Sequence, residues 1–350
     1  MRGFSTKVAL ALVGAILPLL GLEMAARIVK GKPITYFVNF IEARQTLLKS
    51  VYPAQHDSDL GWIPRTGAYG THNYWGKSIT ILDHGVRYNG RLPTSEQGTI
   101  ILAVGDSFTF GDQVSDHETW PAQLEKLSGN RVVNGGVFAY GLDQTVLRAE
   151  QLVDVFTPSV LIIGLIPDDI NRVELSTRSG ASKPFFRVVE SELFLGNIPV
   201  PVPDSESTGP GLFRDLFGYS FLMDGLMRKL GYEAFWYAGG WENRRVHTDG
   251  ARVSCFLMDR VSELGRRGDL ELILLVQYLE SEVWVDQRSE VKNVLECAAQ
   301  NGIGIVDMHT QLRKMAESNP TKLASLYYYQ SHMTPQGNAL VARIMFDYLY

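Results

Sequence analysis

At 350 residues the chain is longer than a minimal domain and fits one α/β domain with extensions. Apolar residues at 45% and charged residues at 20% exclude a disordered chain, and a net charge of −5 with no long basic run gives no reason to expect a nucleic-acid partner. Only Cys255 and Cys297 are present, in helix-like stretches without C-x-x-C or Cys/His ligand spacing, so neither a metal nor a cofactor is expected. They read as two buried core thiols, with a disulfide between them as the alternative.

In chain order, Arg2 and Lys7 precede an uncharged run over 8–22 that Glu23 and Arg27 close. A positive flank before an apolar core signals export with the N-terminus staying inside. Extending the run through Met24, Ala25, Ala26, Ile28 and Val29 reaches the roughly 20 residues a bilayer needs. Neither small-x-small before a cleavage point nor a lipidation Cys is evident. Residues 1–30 are therefore expected to be an uncleaved signal-anchor in the inner membrane, with a soluble domain that is periplasmic or extracellular. Residues 31–98 are aromatic, Gly-rich and irregular, and read as a strap of short strands and loops on the main domain.

Residues 99–104 form a continuous apolar β-run of the kind buried on both faces of a parallel sheet. The pattern then predicts a helix over 118–127, a strand over 131–134, a helix over 143–156 and a strand over 159–166. An insertion at about 173–250 interrupts the rhythm with the Pro-rich Ile198-Pro199-Val200-Pro201-Val202-Pro203 and an aromatic helix near 213–230. Alternation resumes with helix 251–265, strand 270–277, helix 287–301, strand 303–307 and helix 335–348. Strands alternating with helices of this length imply an α/β fold, a parallel sheet with helices on both faces. Ligands in such sheets sit beyond the carboxyl ends of the strands.

Two segments carry chemistry. Gly105-Asp106-Ser107-Phe108-Thr109-Phe110-Gly111 follows the buried strand directly, so the Ser107 hydroxyl is offered to the crevice and nearby backbone N–H groups can receive an oxyanion. The bland reading of this turn is a serine helix cap between turn glycines. Near the C-terminus stands His332-Met333-Thr334-Pro335-Gln336-Gly337-Asn338-Ala339-Leu340-Val341-Ala342, in which Pro335 opens a helix behind the Thr334 cap. His332 thus lies in the loop entering the last helix, at the same end of the sheet as Ser107. A serine needs an adjacent base to be nucleophilic.

These two segments resemble the first and last blocks of the SGNH (GDSL-type) hydrolases, in particular the exported, membrane-anchored bacterial members. Asn134-Gly135-Gly136-Val137-Phe138-Ala139-Tyr140-Gly141 resembles the second block, and Ile163-Gly164-Leu165-Ile166-Pro167-Asp168-Asp169-Ile170 stands in the place of the third. The resemblance runs in order from about residue 99 to the C-terminus, apart from the insertion. It implies a three-layer α/β/α flavodoxin-like fold with Ser107 as nucleophile and His332 as base. It also implies an oxyanion hole drawn from Ser107, Gly136 and position 168. Two positions depart from the family pattern: Asp168 stands where an Asn would donate to the oxyanion, and Gln330 and Tyr329 stand where an Asp would orient the histidine.

The expected activity is that of a serine esterase acting on O-acyl (in the sharper form O-acetyl) esters, on an envelope carbohydrate or other acylated glycan. The mechanism is then a Ser107–His332 dyad, or a triad completed by the Gln330 oxygen, a backbone carbonyl or a distant carboxylate. Asp168 is either protonated and a donor, or turned away with Asn171 assisting. The alternatives are an acyltransferase on the same site and a degenerate, non-catalytic domain that binds polysaccharide or an assembly partner. Tyr327, Tyr328, Tyr329, Trp236, Tyr237 and Trp241 are candidates for a sugar-stacking wall, with core and rim packing as the simpler reading.

Overall fold

A computed structural model of the chain describes residues 2–29, 31, 33, 53–71, 76–90, 98–202, 212–232, 236, 243–328 and 332–350. It divides into two compact units.

The smaller unit comprises residues 1–50, 179–181 and 204–242. Its first element is one helix, α1 (Arg2–Val29), with Pro18 inside it. Among the described residues no helix is long and apolar enough to cross a membrane. The anchor expected over 1–30 therefore remains a proposal. Near the end of α1 the Glu23 carboxylate accepts from the backbone N–H groups of Phe221 (3.1 Å) and Leu222 (2.9 Å) and from the Ser220 hydroxyl (2.8 Å). An anion there meets the first N–H groups and positive dipole end of helix Phe221–Lys229. Arg27 holds Glu23 in place with an ion pair at 2.8 Å. The single helix expected near 213–230 is two, Leu212–Phe217 and Phe221–Lys229, because the Ser220 side chain caps a new start by accepting from Met223 N–H at 3.0 Å. Trp236 is fully buried against Met223 and Met227 and donates to Asp224 Oδ1 at 3.1 Å.

The larger unit comprises residues 51–178, 182–203 and 243–350. Its sheet is built from β3 (Ile100–Val104), β4 (Arg131–Asn134), β5 (Val160–Leu165), β6 (Glu271–Val276) and β7 (Gly304–Asp307), after an N-terminal hairpin β1 (Ala54–Asp57) and β2 (Gly61–Pro64). The order across the sheet is β7-β6-β5-β3-β4, with every pairing parallel. β3 and β5 are apolar throughout and buried on both faces, as central strands of a parallel sheet must be. The register aligns Ala103 with Asn134, Val104 with Ile163, and Val276 with both Leu165 and Asp307. All five carboxyl ends therefore reach one edge.

The chain moves outward from β3 to β4 and then returns past β3 to β5, so right-handed crossovers place helices on opposite faces. On one side α3 (Trp120–Ser128) packs with the last helix, α8 (Pro335–Leu349). On the other, α4 (Leu142–Phe156), α6 (Gly250–Gly268) and α7 (Ser289–Gln300) pack in succession. This is the doubly wound arrangement, with its crevice where the strand order reverses, between β3 and β5. Two short helices, His309–Ser318 and Pro320–Ser325, occupy a region that the sequence pattern leaves unassigned.

Of the 31–98 strap only part lies among the described residues. Its hairpin packs on the second motif: Trp62 Nε1 donates to Phe138 O at 3.1 Å, Tyr140 Oη to Trp62 O at 2.6 Å, and Gln144 Nε2 to Leu60 O at 2.8 Å. The cysteines correct the expectation of two buried thiols. Cys255 on α6 and Cys297 on α7 form a disulfide, Cα–Cα 5.3 Å, because the two helices pack side by side and present both residues to the same seam.

Candidate active site

Ser107 opens the short helix α2 (Ser107–Phe110) immediately beyond β3. Asp106 caps it through Oδ1, which accepts from Phe108 N–H at 2.9 Å. The helix ends at Gly111 (φ 88°), a left-handed position that a side chain would strain. Arg87 of the strap then fastens the turn, donating to the carbonyl oxygens of Phe110 (2.8 Å), Gly111 and Val114 (2.7 Å) and to Asp116 Oδ1 at 3.2 Å. A buried guanidinium with these partners leaves the nucleophile turn little freedom.

His332 meets Ser107 across the crevice: Nε2 lies 2.9 Å from Ser107 Oγ. The ring packs on Phe108, with centroids 5.2 Å apart. Burial first, and then the positive charge of Arg172, push the imidazole down to about 4. About a quarter of the side chain (24%) stays exposed, and the ring is neutral at pH 7 and able to accept a proton. The fully buried Asp112 places Oδ2 3.7 Å from the same Nε2.

The expected oxyanion donors fare differently. Ser107 N–H is the first of its helix and meets no carbonyl four residues back. Gly136 packs so closely on α2 that a Cβ would sit 2.3 Å from Phe110 N, which explains the glycine. Its N–H, however, donates to Asn134 Oδ1 at 3.1 Å and is not offered to the crevice in this geometry.

Asp168 is not a protonated donor. Burial raises its pKa, but the Arg172 and Arg178 charges and hydrogen bonds from Arg172 and Asn171 outweigh that and hold it below the ordinary carboxylate range. The reason is its position on α5 (Pro167–Arg172), i,i+4 to Arg172, whose Nε donates to Asp168 Oδ2 at 3.0 Å. Asn171 is thereby engaged with Asp168.

Arg172 collects two further carboxylates through Nη1: Asp169 Oδ1 at 2.7 Å and Asp106 Oδ2 at 3.2 Å, together with the Tyr140 carbonyl at 2.9 Å. Burial raises the pKa of both Asp106 and Asp169, with the Asp106 charge adding to the effect on Asp169. Asp106 Oδ2 also lies 3.2 Å from Ser107 Oγ. Sequence reasoning missed Asp106, Asp112 and Arg172. The available signals were an acidic residue beside the serine, another just past Gly111, and an arginine one helical turn after Asp168.

Gln330 and Tyr329, the candidates for orienting His332, lie outside the described residues, as do Tyr237 and Trp241. Tyr327 and Trp236 do not form a sugar-stacking wall: both are buried, and each spends its polar atom on an internal partner, Tyr278 O at 3.0 Å for Tyr327 Oη and Asp224 for Trp236. No metal-binding group of His, Cys, Asp and Glu occurs among the described residues.

No protein-family model matches the chain, and no curated protein matches it. Among solved structures it is similar to an acetyl xylan esterase, AlAXEase, at 12% identity and a TM-score of 0.42, over 72% of this chain and 100% of that one. A variant of the acetyl xylan esterase Axe2 from Geobacillus stearothermophilus aligns at 14% identity and a TM-score of 0.42, over 72% and 94% of the two chains. A protein of the G-D-S-L family from Desulfitobacterium hafniense aligns at 16% identity and a TM-score of 0.37, over 71% and 98%. At TM-scores below 0.5 none of these likenesses decides the chemistry of the site. Its geometry does.

Proposed function

We propose that the chain is a serine esterase with Ser107 as nucleophile and His332 as general base. The observation that carries this reading is the 2.9 Å contact between Ser107 Oγ and His332 Nε2, at the carboxyl edge of a parallel sheet with Ser107 at a helix start. Ser107 Oγ attacks the acyl carbon as its proton passes to Nε2, and the oxyanion forms against the Ser107 N–H. His332 then returns the proton to the departing alcohol, leaving an acyl-serine that water cleaves with His332 again as base. While His332 carries the proton, the Asp112 carboxylate 3.7 Å away offsets its charge. Asp112 faces Nε2, whereas the orienting carboxylate of a triad holds the other ring nitrogen.

The finer reading is an O-acyl ester, in particular an O-acetyl ester, on an envelope glycan, with the protein held in the inner membrane by α1 and its larger unit outside. Two features support export. Leu17, Leu19, Leu20 and Leu22 of α1 are exposed behind the basic Arg2 and Lys7, and the Cys255–Cys297 disulfide suits an oxidising compartment.

Labelling with a serine-reactive fluorophosphonate tests the core reading. Wild type should label and turn over 4-nitrophenyl acetate, while Ser107→Ala should do neither and His332→Ala should lose nearly as much, since nucleophile and base act as a unit. Undiminished hydrolysis by folded Ser107→Ala would end the assignment. Absence of labelling in wild type would favour a degenerate binding domain. Transfer of the acyl group to an added glycan acceptor would make the enzyme an acyltransferase.

A further inference from the structure

Arg172 is a cation built into the surroundings of the nucleophile, and a Ser–His dyad by itself has no use for it. The Ser107 hydroxyl carries one proton but faces two acceptors, His332 Nε2 at 2.9 Å and Asp106 Oδ2 at 3.2 Å. Asp106 is 1% exposed, and burial makes its carboxylate more basic than usual. Left alone, it would compete with the imidazole for the hydroxyl. Arg172 Nη1 donates to that same Oδ2 at 3.2 Å. The guanidinium is fixed from three further sides, by Asp168 on Nε and by Asp169 and the Tyr140 carbonyl on Nη1.

We infer that Arg172 is a positioning residue: by donating to Asp106 Oδ2 it weakens that oxygen as a rival acceptor and tips the Ser107 proton toward the shorter contact with His332. The inference rests on the esterase reading of the dyad. No new bond is made. The single proton of Oγ goes to Nε2 instead of resting against a carboxylate that cannot pass it to the leaving alcohol. The charged groups facing this proton, among the described residues, are Asp106 beside Ser107, Asp112 beside His332, and Arg172 with its partners Asp168, Asp169 and the nearby Arg178. Asp168 gains a role that its departure from the family's Asn otherwise leaves empty. It is the exposed end of the chain of contacts that aims Arg172 at Asp106.

The experiment is a pH–rate profile from pH 4 to 9, on 4-nitrophenyl acetate and by initial rate of fluorophosphonate labelling. The proteins are full-chain wild type, Arg172→Gln, Arg172→Lys, Asp106→Asn and the double variant Arg172→Gln/Asp106→Asn. Wild type should show one rising limb and a plateau. Arg172→Gln should lose about tenfold or more at pH 8 and acquire a falling limb as Asp106 ionises with rising pH, the kind of loss expected when a serine–histidine pair is misdirected. Its rising limb should also move to higher pH, because the charge that depresses His332 is gone. Asn at position 106 keeps an oxygen to cap Phe108 but offers Ser107 a donor instead of an acceptor, so the double variant should lose the falling limb and exceed Arg172→Gln at pH 8.

A wild-type-shaped profile for Arg172→Gln, merely scaled down, overturns the inference, as does a double variant that loses the product of the two single losses. If Arg172→Gln does not fold, Arg172→Lys decides. Lysine's single ammonium cannot hold Asp168 and Asp106 together, so a weaker falling limb is expected, and an unaltered profile is the overturning result. A labelled, active wild type with any of these negative results sinks the inference alone. An unlabelled, inactive wild type sinks the esterase reading, and the inference with it.

Discussion

Depression of the His332 imidazole to about 4 predicts an acid-tolerant enzyme. The perturbation is pH itself. At pH 5.5 an imidazole of ordinary pKa is roughly nine-tenths protonated and useless as a base, whereas one titrating near 4 is only a few per cent protonated. Activity at pH 5.5 should therefore remain within about twofold of its value at pH 7.5, where an ordinary histidine would have cost about tenfold. Folding should show the same group. The unfolded chain takes up the proton near 6.5 and the folded one only near 4, so the native state binds fewer protons in between and loses stability as pH falls through that window. The drop from 6.5 to about 4 sets an upper figure of about 3 kcal/mol for this contribution. The assay is the initial rate of fluorophosphonate labelling from pH 3.5 to 8, with thermal melts of wild type and His332→Gln at the same pH values. A rising limb centred at 6.5, or melting curves of the two proteins that run parallel across pH 4–6.5, would refute the reasoning.

Asp168→Asn should reduce turnover modestly at all pH values without creating a pH limb, because an Asn oxygen can still accept from Arg172 Nε and keep it aimed at Asp106, and the charge lost belongs to a pair that is 41% exposed and contributes up to about 1 kcal/mol. An Asn variant that loses a limb present in wild type would show that Asp168 titrates during the reaction, and one that gains a falling limb would show that its charge is needed to hold Arg172 on Asp106. Cys255→Ser/Cys297→Ser should destabilise the larger unit by about 4 kcal/mol, from chain-entropy loss over a sequence separation of 42 residues, and leave labelling of Ser107 intact at 25 °C. Guanidinium titration with and without reductant measures this, and coincident curves would contradict the disulfide.

The parts of the fold that repeat were legible in the sequence. Buried strands such as Ile100–Val104 are apolar because both faces are covered, and caps such as Thr334-Pro335 are local chemistry. The dyad was legible because each member sits at a strand or helix end whose place in the sheet follows from alternation. What escaped depends on tertiary neighbours. Arg172 lies 66 positions from Asp106, and Asp112 meets His332 only through the fold, so the sequence shows a carboxylate and an arginine without these partners. Asn134 occupying the Gly136 N–H is a side-chain choice that no spacing encodes. The cysteines were misread because their pairing depends on how α6 and α7 pack, and a sequence separation of 42 carries no trace of that. Helix His309–Ser318 escaped because only Leu312 and Ala316 of its ten residues are buried, too thin a stripe to stand out.

The Arg87 fastening has a consequence for how activity arises during folding. A serine turn that depends on a guanidinium from a separate stretch of chain cannot mature when its own strand forms. It must wait for residues 76–90 to dock, and Arg87 N–H joins Asn134 O across the edge of the sheet at 2.8 Å in that same event. Competence at Ser107 is thus expected to appear only once that stretch has docked, and to be lost when it detaches. In mild denaturant, labelling should fade while helical circular dichroism is still native, since the strap is a peripheral element and such elements open at lower free energy than the core.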